Sequence, residues 1–120
     1  MATLNHVSLI VIDVKASVRY YLARGMKIYW QPDDDNVYLT NGNDVLALHK
    51  GRRNHFDHLG FCLESKEEVD KAYTKALLAH EPLSQLQTHR DGSYGFYTKD
   101  PAGFSVEIIY IPRRENQNGS

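Results

Sequence analysis

Apolar positions change their period along the chain, and each change marks an element. Leu4 to Ile12 is β-branched and reads as a strand, whereas Lys15 to Leu22 carries Val18, Tyr21 and Leu22 at helical spacing and stops near Gly25. Met26 to Trp30 reads as a second strand, broken by Pro32 and by Asp33, Asp34 and Asp35. Val37 to Thr40 and Asp44 to His49 then flank Asn41-Gly42-Asn43, a hairpin turn signal. From Phe56 the order begins again with a strand to Leu63. A helix follows, capped by Ser65 with Glu68 three residues on, with Val69, Ala72, Tyr73, Ala76 and Leu77 on one face and Pro82 at its end. Leu83 to Thr88 and Tyr94 to Thr98 read as strands, Lys99 to Gly103 as a turn, and Phe104 to Ile111 as the last strand.

The pattern is therefore β-α-β-β-β twice over, in modules of about 4–50 and 56–111 within one domain of residues 1–112, followed by a polar tail at 113–120. His6-Val7-Ser8-Leu9-Ile10-Val11 opens the first module as His58-Leu59-Gly60-Phe61-Cys62-Leu63 opens the second. At the far end Val45-Leu46-Ala47-Leu48 lies over Ser105-Val106-Glu107-Ile108, which makes Ala47 and Glu107 equivalent. Two such units related by a pseudo-two-fold axis would carry His6, His58, Glu107 and Ala47 towards one concavity. Strand parity turns Glu107 away from Val106 and Ile108.

Composition narrows the function classes. The chain has 120 residues, 42% of them hydrophobic and 11% aromatic, enough for one folded core. With 14 Lys and Arg against 15 Asp and Glu the formal net charge is −1, which removes the electrostatic footprint of a nucleic-acid binder. The longest mostly apolar run, Val7 to Val14, is far short of the roughly 20 residues a membrane span requires. No secretion signal is legible at the N-terminus, so a cytoplasmic location is expected. Cys62 stands alone in an apolar run and reads as an inert thiol.

Two imidazoles and one carboxylate form a ligand set for a divalent first-row metal, and three protein ligands leave positions open for a substrate. The methyl of Ala47, where a fourth ligand would close the shell, leaves room for two oxygens of a chelating substrate. Taken singly, His6 and His58 are accounted for as histidines bonded to backbone carbonyls, and Glu107 as an outward-facing residue; their joint placement at equivalent positions points instead to a metal. Strand parity sets His49 on the face of Ala47, where pointing into the cavity is one of two open readings. His55 falls in an exposed loop, His80 near the end of the second helix where a cation suits the dipole, and the three aspartates in a solvated turn.

The paired modules, the strand-opening His6 and His58, and Asp100-Pro101-Ala102-Gly103-Phe104-Ser105-Val106-Glu107 together resemble the vicinal oxygen chelate superfamily over nearly the whole chain. That superfamily includes glyoxalase I, fosfomycin-resistance proteins, bleomycin-binding proteins and extradiol ring-cleavage dioxygenases. The resemblance implies an α+β fold of two tandem β-α-β-β-β modules forming a cup-shaped mixed sheet. The spacing of His89, Phe96-Tyr97, Asp100-Pro101, Gly103 and Glu107 is similar to the extradiol signature. By that resemblance His89 is the acid/base, Tyr97 hydrogen-bonds a substrate oxygen, and His6, His58 and Glu107 hold Fe(II), with Mn(II), Zn(II) or Ni(II) as alternatives. The substrate implied is a catechol-like small molecule with vicinal oxygens, and the assembly a homodimer, in which His6 could come from one subunit and His58 and Glu107 from the other. Glyoxalase-like isomerases or lyases, fosfomycin-type thiol transferases and metal-free antibiotic-binding proteins remain alternatives. In glyoxalase I a glutamate is expected where Ala47 stands. Aromatics Tyr20, Tyr29, Trp30 and Tyr38 serve either packing or, in a binding protein, a hydrophobic groove.

Overall fold

The structure is a computed structural model and describes residues 2–112, so the polar tail expected at 113–120 lies outside the described residues. The elements are β1 (Thr3–Val11), α1 (Val14–Leu22), β2 (Lys27–Asp33), β3 (Asn36–Thr40), β4 (Val45–Lys50), β5 (His55–Leu63), α2 (Lys66–Leu78), β6 (Gln87–Thr88), β7 (Tyr94–Lys99) and β8 (Ser105–Tyr110). This is an α+β fold in which β-α-β-β-β occurs twice, with strands ordered β2-β3-β4-β1 in the first repeat and β5-β8-β7-β6 in the second. In each repeat the first and last strands run parallel and the remaining neighbours antiparallel. The described residues separate into two compact units, 5–58 and 2–4 with 59–112.

In the unit Asn5–His58 the core lies between α1 and one sheet face. Val14, Val37, Leu39 and Leu48 are buried there, with Leu9, Val11, Val18, Tyr21 and Leu46 packed around them. Leu39 and Leu48 lose all solvent contact, worth about 1.5–3 kcal/mol each. Alternation then sends His6, Ser8, Ala47, His49 and Tyr38 to the other face. α1 starts at Val14 because Asp13 Oδ1 accepts from the Ala16 N–H at 3.0 Å. Pro32 does not break β2 as the sequence pattern suggested. Among the described residues β2 has only β3 beside it, and Pro32 falls where the register shifts between Trp30 and Asp33, so its missing N–H is tolerated.

In the second unit Val69, Ala76 and Phe96 form the core, with Leu63, Ala72, Tyr73, Leu83, Leu86, Ile108 and Tyr110 against them. Ser65 caps α2 by accepting from the Glu68 N–H at 3.1 Å, while the Glu68 carboxylate accepts from the Glu64 N–H. The helix closes at Leu78, ahead of Pro82: His80 takes a left-handed φ of 58° and the Glu81 N–H bonds the Ala76 carbonyl. The strand expected from Leu83 shrinks to Gln87–Thr88. Its early part does not pair as a regular ladder, because the Ser84 hydroxyl accepts from the Tyr97 N–H at 2.8 Å while the Ser84 N–H bonds the Tyr97 carbonyl.

Candidate metal and substrate site

His6 and His58 meet within a single chain. Their Nε2 atoms are 3.0 Å apart, with the rings edge to face. His58 Nδ1 lies 2.7 Å from Asp57 Oδ2, and His6 Nδ1 lies 2.8 Å from Asn5 Oδ1. Both of these oxygens are acceptors, so each Nδ1 carries the proton and each Nε2 turns a lone pair towards the other. Two lone pairs at that distance repel unless a proton or a cation lies between them. Nitrogens each about 2.1 Å from one ion would stand about 3.0 Å apart at an angle near 90°. The pair, each imidazole oriented through its far nitrogen, therefore fits a divalent metal.

The same unit places an aromatic row on this face. Trp30 stacks on Tyr38 with centroids 5.1 Å apart, and Tyr38 meets His49 edge to face at 5.6 Å. His49 Nδ1 donates to Asn36 Oδ1 at 2.6 Å, and Asn36 Nδ2 donates to Asp33 Oδ1 at 2.8 Å, which leaves His49 Nε2 as the lone-pair nitrogen. Burial lowers the His49 pKa below its ordinary value; Asp57 and Asp33 oppose the shift, while His58 and His6 add to it. Asp33 thus terminates a hydrogen-bonded chain rather than simply facing solvent. His55, read from the sequence as part of an exposed loop, is exposed but opens β5, and its Nδ1 bonds the carbonyl of Phe56.

In the second unit Glu107 sits at the centre of β8 and is 5% exposed. Its neighbours in register are Gly60 on β5 and Tyr97 on β7, so Tyr97 stands directly across from it. His89, beside the β6–β7 turn, brings Nε2 to 3.6 Å from Glu107 Oε2, and its backbone is held by the Ser93 carbonyl. A buried carboxylate is costly unless bonded or coordinated. Phe96, one residue from Tyr97, faces the α2 core, so alternation commits Tyr97 to the Glu107 face. Burial pushes the Cys62 thiol up, in keeping with an inert cysteine.

The registers bear out the equivalence of Ala47 and Glu107. Ala47 pairs with Ser8 and Tyr38, and Glu107 with Gly60 and Tyr97. Sequence reasoning matched the histidines and the fourth corner but missed that Tyr38 is the counterpart of Tyr97. The signal was present at nine residues before Ala47 and ten before Glu107, offset by the unequal hairpins. It also missed the Asn36–His49 pair, although His49 had been placed on this face.

A mixed sheet of this paired-module design defines the vicinal oxygen chelate fold. The family model described as Glyoxalase/Bleomycin resistance protein/Dioxygenase superfamily matches residues 3–108, and the chain belongs to that superfamily. No curated protein matches it. Among solved structures, an extradiol ring-cleaving dioxygenase from Brevibacterium fuscum superposes with a TM-score of 0.79 at 21% identity, over 92% of this chain and 32% of that one. Homoprotocatechuate 2,3-dioxygenase from Arthrobacter globiformis gives 0.77 at 20%, over 97% and 39%. The Brevibacterium fuscum enzyme bound to 3,4-dihydroxyphenylacetate gives 0.78 at 21%, over 95% and 38%. This chain thus spans about a third of the length of those enzymes, and the likeness is one of fold. Among the described residues no helix is long and apolar enough to cross a membrane.

Proposed function

We propose that the protein is a metal-dependent dioxygenase resembling the extradiol ring-cleavage enzymes, acting on a catechol-like substrate through its two vicinal oxygens. The observation that carries this reading is the His6–His58 pair, with Nε2 atoms at 3.0 Å and each Nδ1 engaged by an acceptor. In the proposal His6, His58 and Glu107 each give one donor atom to the ion. Fe(II) is favoured by the 2-His-1-carboxylate set, with Mn(II), Zn(II) or Ni(II) accommodated by the same donors. When bound, the ion would supply a Lewis acid with open positions for the two substrate oxygens.

The remaining steps belong to the protein. Asp57 and Asn5 hold the two imidazoles in the tautomer that presents Nε2. Tyr97, opposite Glu107, donates a hydrogen bond from its phenol O–H to a substrate oxygen, keeping its proton, and so stabilises negative charge there. His89, next to Glu107, takes and returns the substrate proton at Nε2. The neutral His49, fixed by Asn36, adds a second imidazole able to accept a proton. Ala47 offers no carboxylate base, which separates this reading from a glyoxalase I reaction. A working homodimer is part of the proposal, checked by sedimentation.

The test is the metal content of anaerobically purified protein, in parallel with His58→Ala, followed by oxygen consumption with catechols. Near-stoichiometric iron or manganese in the wild type, lost in the variant, with oxygen consumed on addition of a catechol, is the expected result. Zinc or nickel without oxygen uptake points to an isomerase, lyase or transferase. Failure to take up any of these ions on reconstitution refutes the metal assignment and leaves a binding protein.

A further inference from the structure

The two repeats differ at one corner in a complementary way. In the second, Glu107 faces Gly60, so a long acceptor stands beside a residue with no side chain. In the first, Ala47 faces Ser8, so a methyl stands beside a hydroxyl. Ser8 is 0% exposed, and its Oγ has no hydrogen-bond partner among the described residues. Buried hydroxyls are bonded in the great majority of structures, and one left alone is unfavourable. Strand parity puts Ser8 on the face of His6, two residues away, and its partner Ala47 lies between it and Tyr38.

We propose that the Ser8 hydroxyl is a substrate-binding group that donates a hydrogen bond to a negatively charged oxygen of the bound catechol. The inference rests on the functional reading above and adds to it a binding residue and the charge of the oxygen it recognises. A carboxylate at this corner would repel such an oxygen, whereas a hydroxyl donor beside a methyl attracts it. The Trp30–Tyr38–His49 row on the same face supplies a wall for a planar ring. Donation to a charged oxygen is among the stronger hydrogen bonds, so its loss is expected to weaken binding about tenfold.

The test is anaerobic titration of Fe(II)-loaded wild type and Ser8→Ala with 4-nitrocatechol, read by its absorption shift, alongside thermal unfolding of both proteins without ligand. The proposal expects a Kd raised about tenfold in Ser8→Ala, with a ligand-free Tm equal to or above that of the wild type because an unpartnered hydroxyl has been removed. Kd values within twofold of each other overturn the assignment of Ser8 alone. A weaker Kd accompanied by a lowered Tm overturns it too, since Ser8 is then structural. A wild type that does not bind 4-nitrocatechol at all overturns the catechol reading and the Ser8 assignment with it.

Discussion

Replacing Asp57 by asparagine isolates the contribution of charge to the histidine pair. The amide oxygen can still accept from His58 Nδ1, so the tautomer and the ring orientation persist while the negative charge is lost. The contact is 2.7 Å long, in the charge-assisted range, and His58 is nearly buried with a side chain 8% exposed. Losing an outer partner of this kind typically costs 10–100-fold in metal affinity. Asp57 itself is 42% exposed, so solvent screens part of the effect and the lower end applies. The expected loss is about tenfold, or about 1.4 kcal/mol. Asn5→Asp supplies the converse, because a carboxylate 2.8 Å from His6 Nδ1 should raise affinity by a similar factor. Both are measured by competing a chromophoric chelator for Co(II) or Zn(II) at fixed pH, at low and high salt. The differences should narrow at high salt. An Asp57→Asn affinity within twofold of wild type refutes the argument that Nε2 of His58 is tuned through its far nitrogen.

His89→Ala and Tyr97→Phe should both retain metal, measured by elemental analysis, yet lose turnover by about 10²-fold or more; unchanged turnover with a genuine substrate removes either from the mechanism. Gly95→Ala should destabilise the fold by about 2–3 kcal/mol in urea titration, since a Cβ there would collide with the Ile108 carbonyl oxygen and come 2.9 Å from the Ile109 Cα, forcing β7 off β8; a loss below about 0.5 kcal/mol refutes this. The His49 ring should titrate below 6.5 by NMR in the ligand-free protein, because burial disfavours its cation. The unfolded chain then takes up the proton first as pH falls, so the stability held above pH 6.5 declines towards the folded midpoint. His49→Gln should flatten that decline, and a midpoint above 6.5 contradicts the burial argument.

Most of the fold was legible because its elements are locally consistent. The α2 cap at Ser65, the turn around Gly42 with φ of 105°, and the alternation in β4 and β8 all act over a few residues. The misread places are those where tertiary position overrides local chemistry. Pro32 is compatible with β2 because β2 has a neighbour on one side, a fact of strand order that no window of sequence contains. Leu83 to Leu86 has the composition of a strand, but a serine side chain takes the backbone proton that a ladder would have used.

The candidate site divides along the same line. His6, His58 and Glu107 could be picked out from the internal repeat because the histidines stand at the same place in β1 and β5, the fourth residue of each, and Glu107 stands at a repeated position near the centre of β8. Ser8 could not, because its neighbours His6 and Ile10 give no reason to single out a hydroxyl; its meaning depends on the Ala47 register and on an unpaired oxygen. The registers also supply a physical reason for the asymmetry of the repeats. Glu107 is opposed by Gly60, which yields space to a carboxylate, whereas a glutamate at position 47 would be opposed by the fully buried Ser8. Ala47→Glu alone would therefore crowd Ser8, whereas Ala47→Glu with Ser8→Gly reproduces the pairing of the second repeat. If the corner is what separates a three-donor from a four-donor set, the double variant should bind metal more tightly than wild type and bind 4-nitrocatechol less well, with the single variant losing stability first.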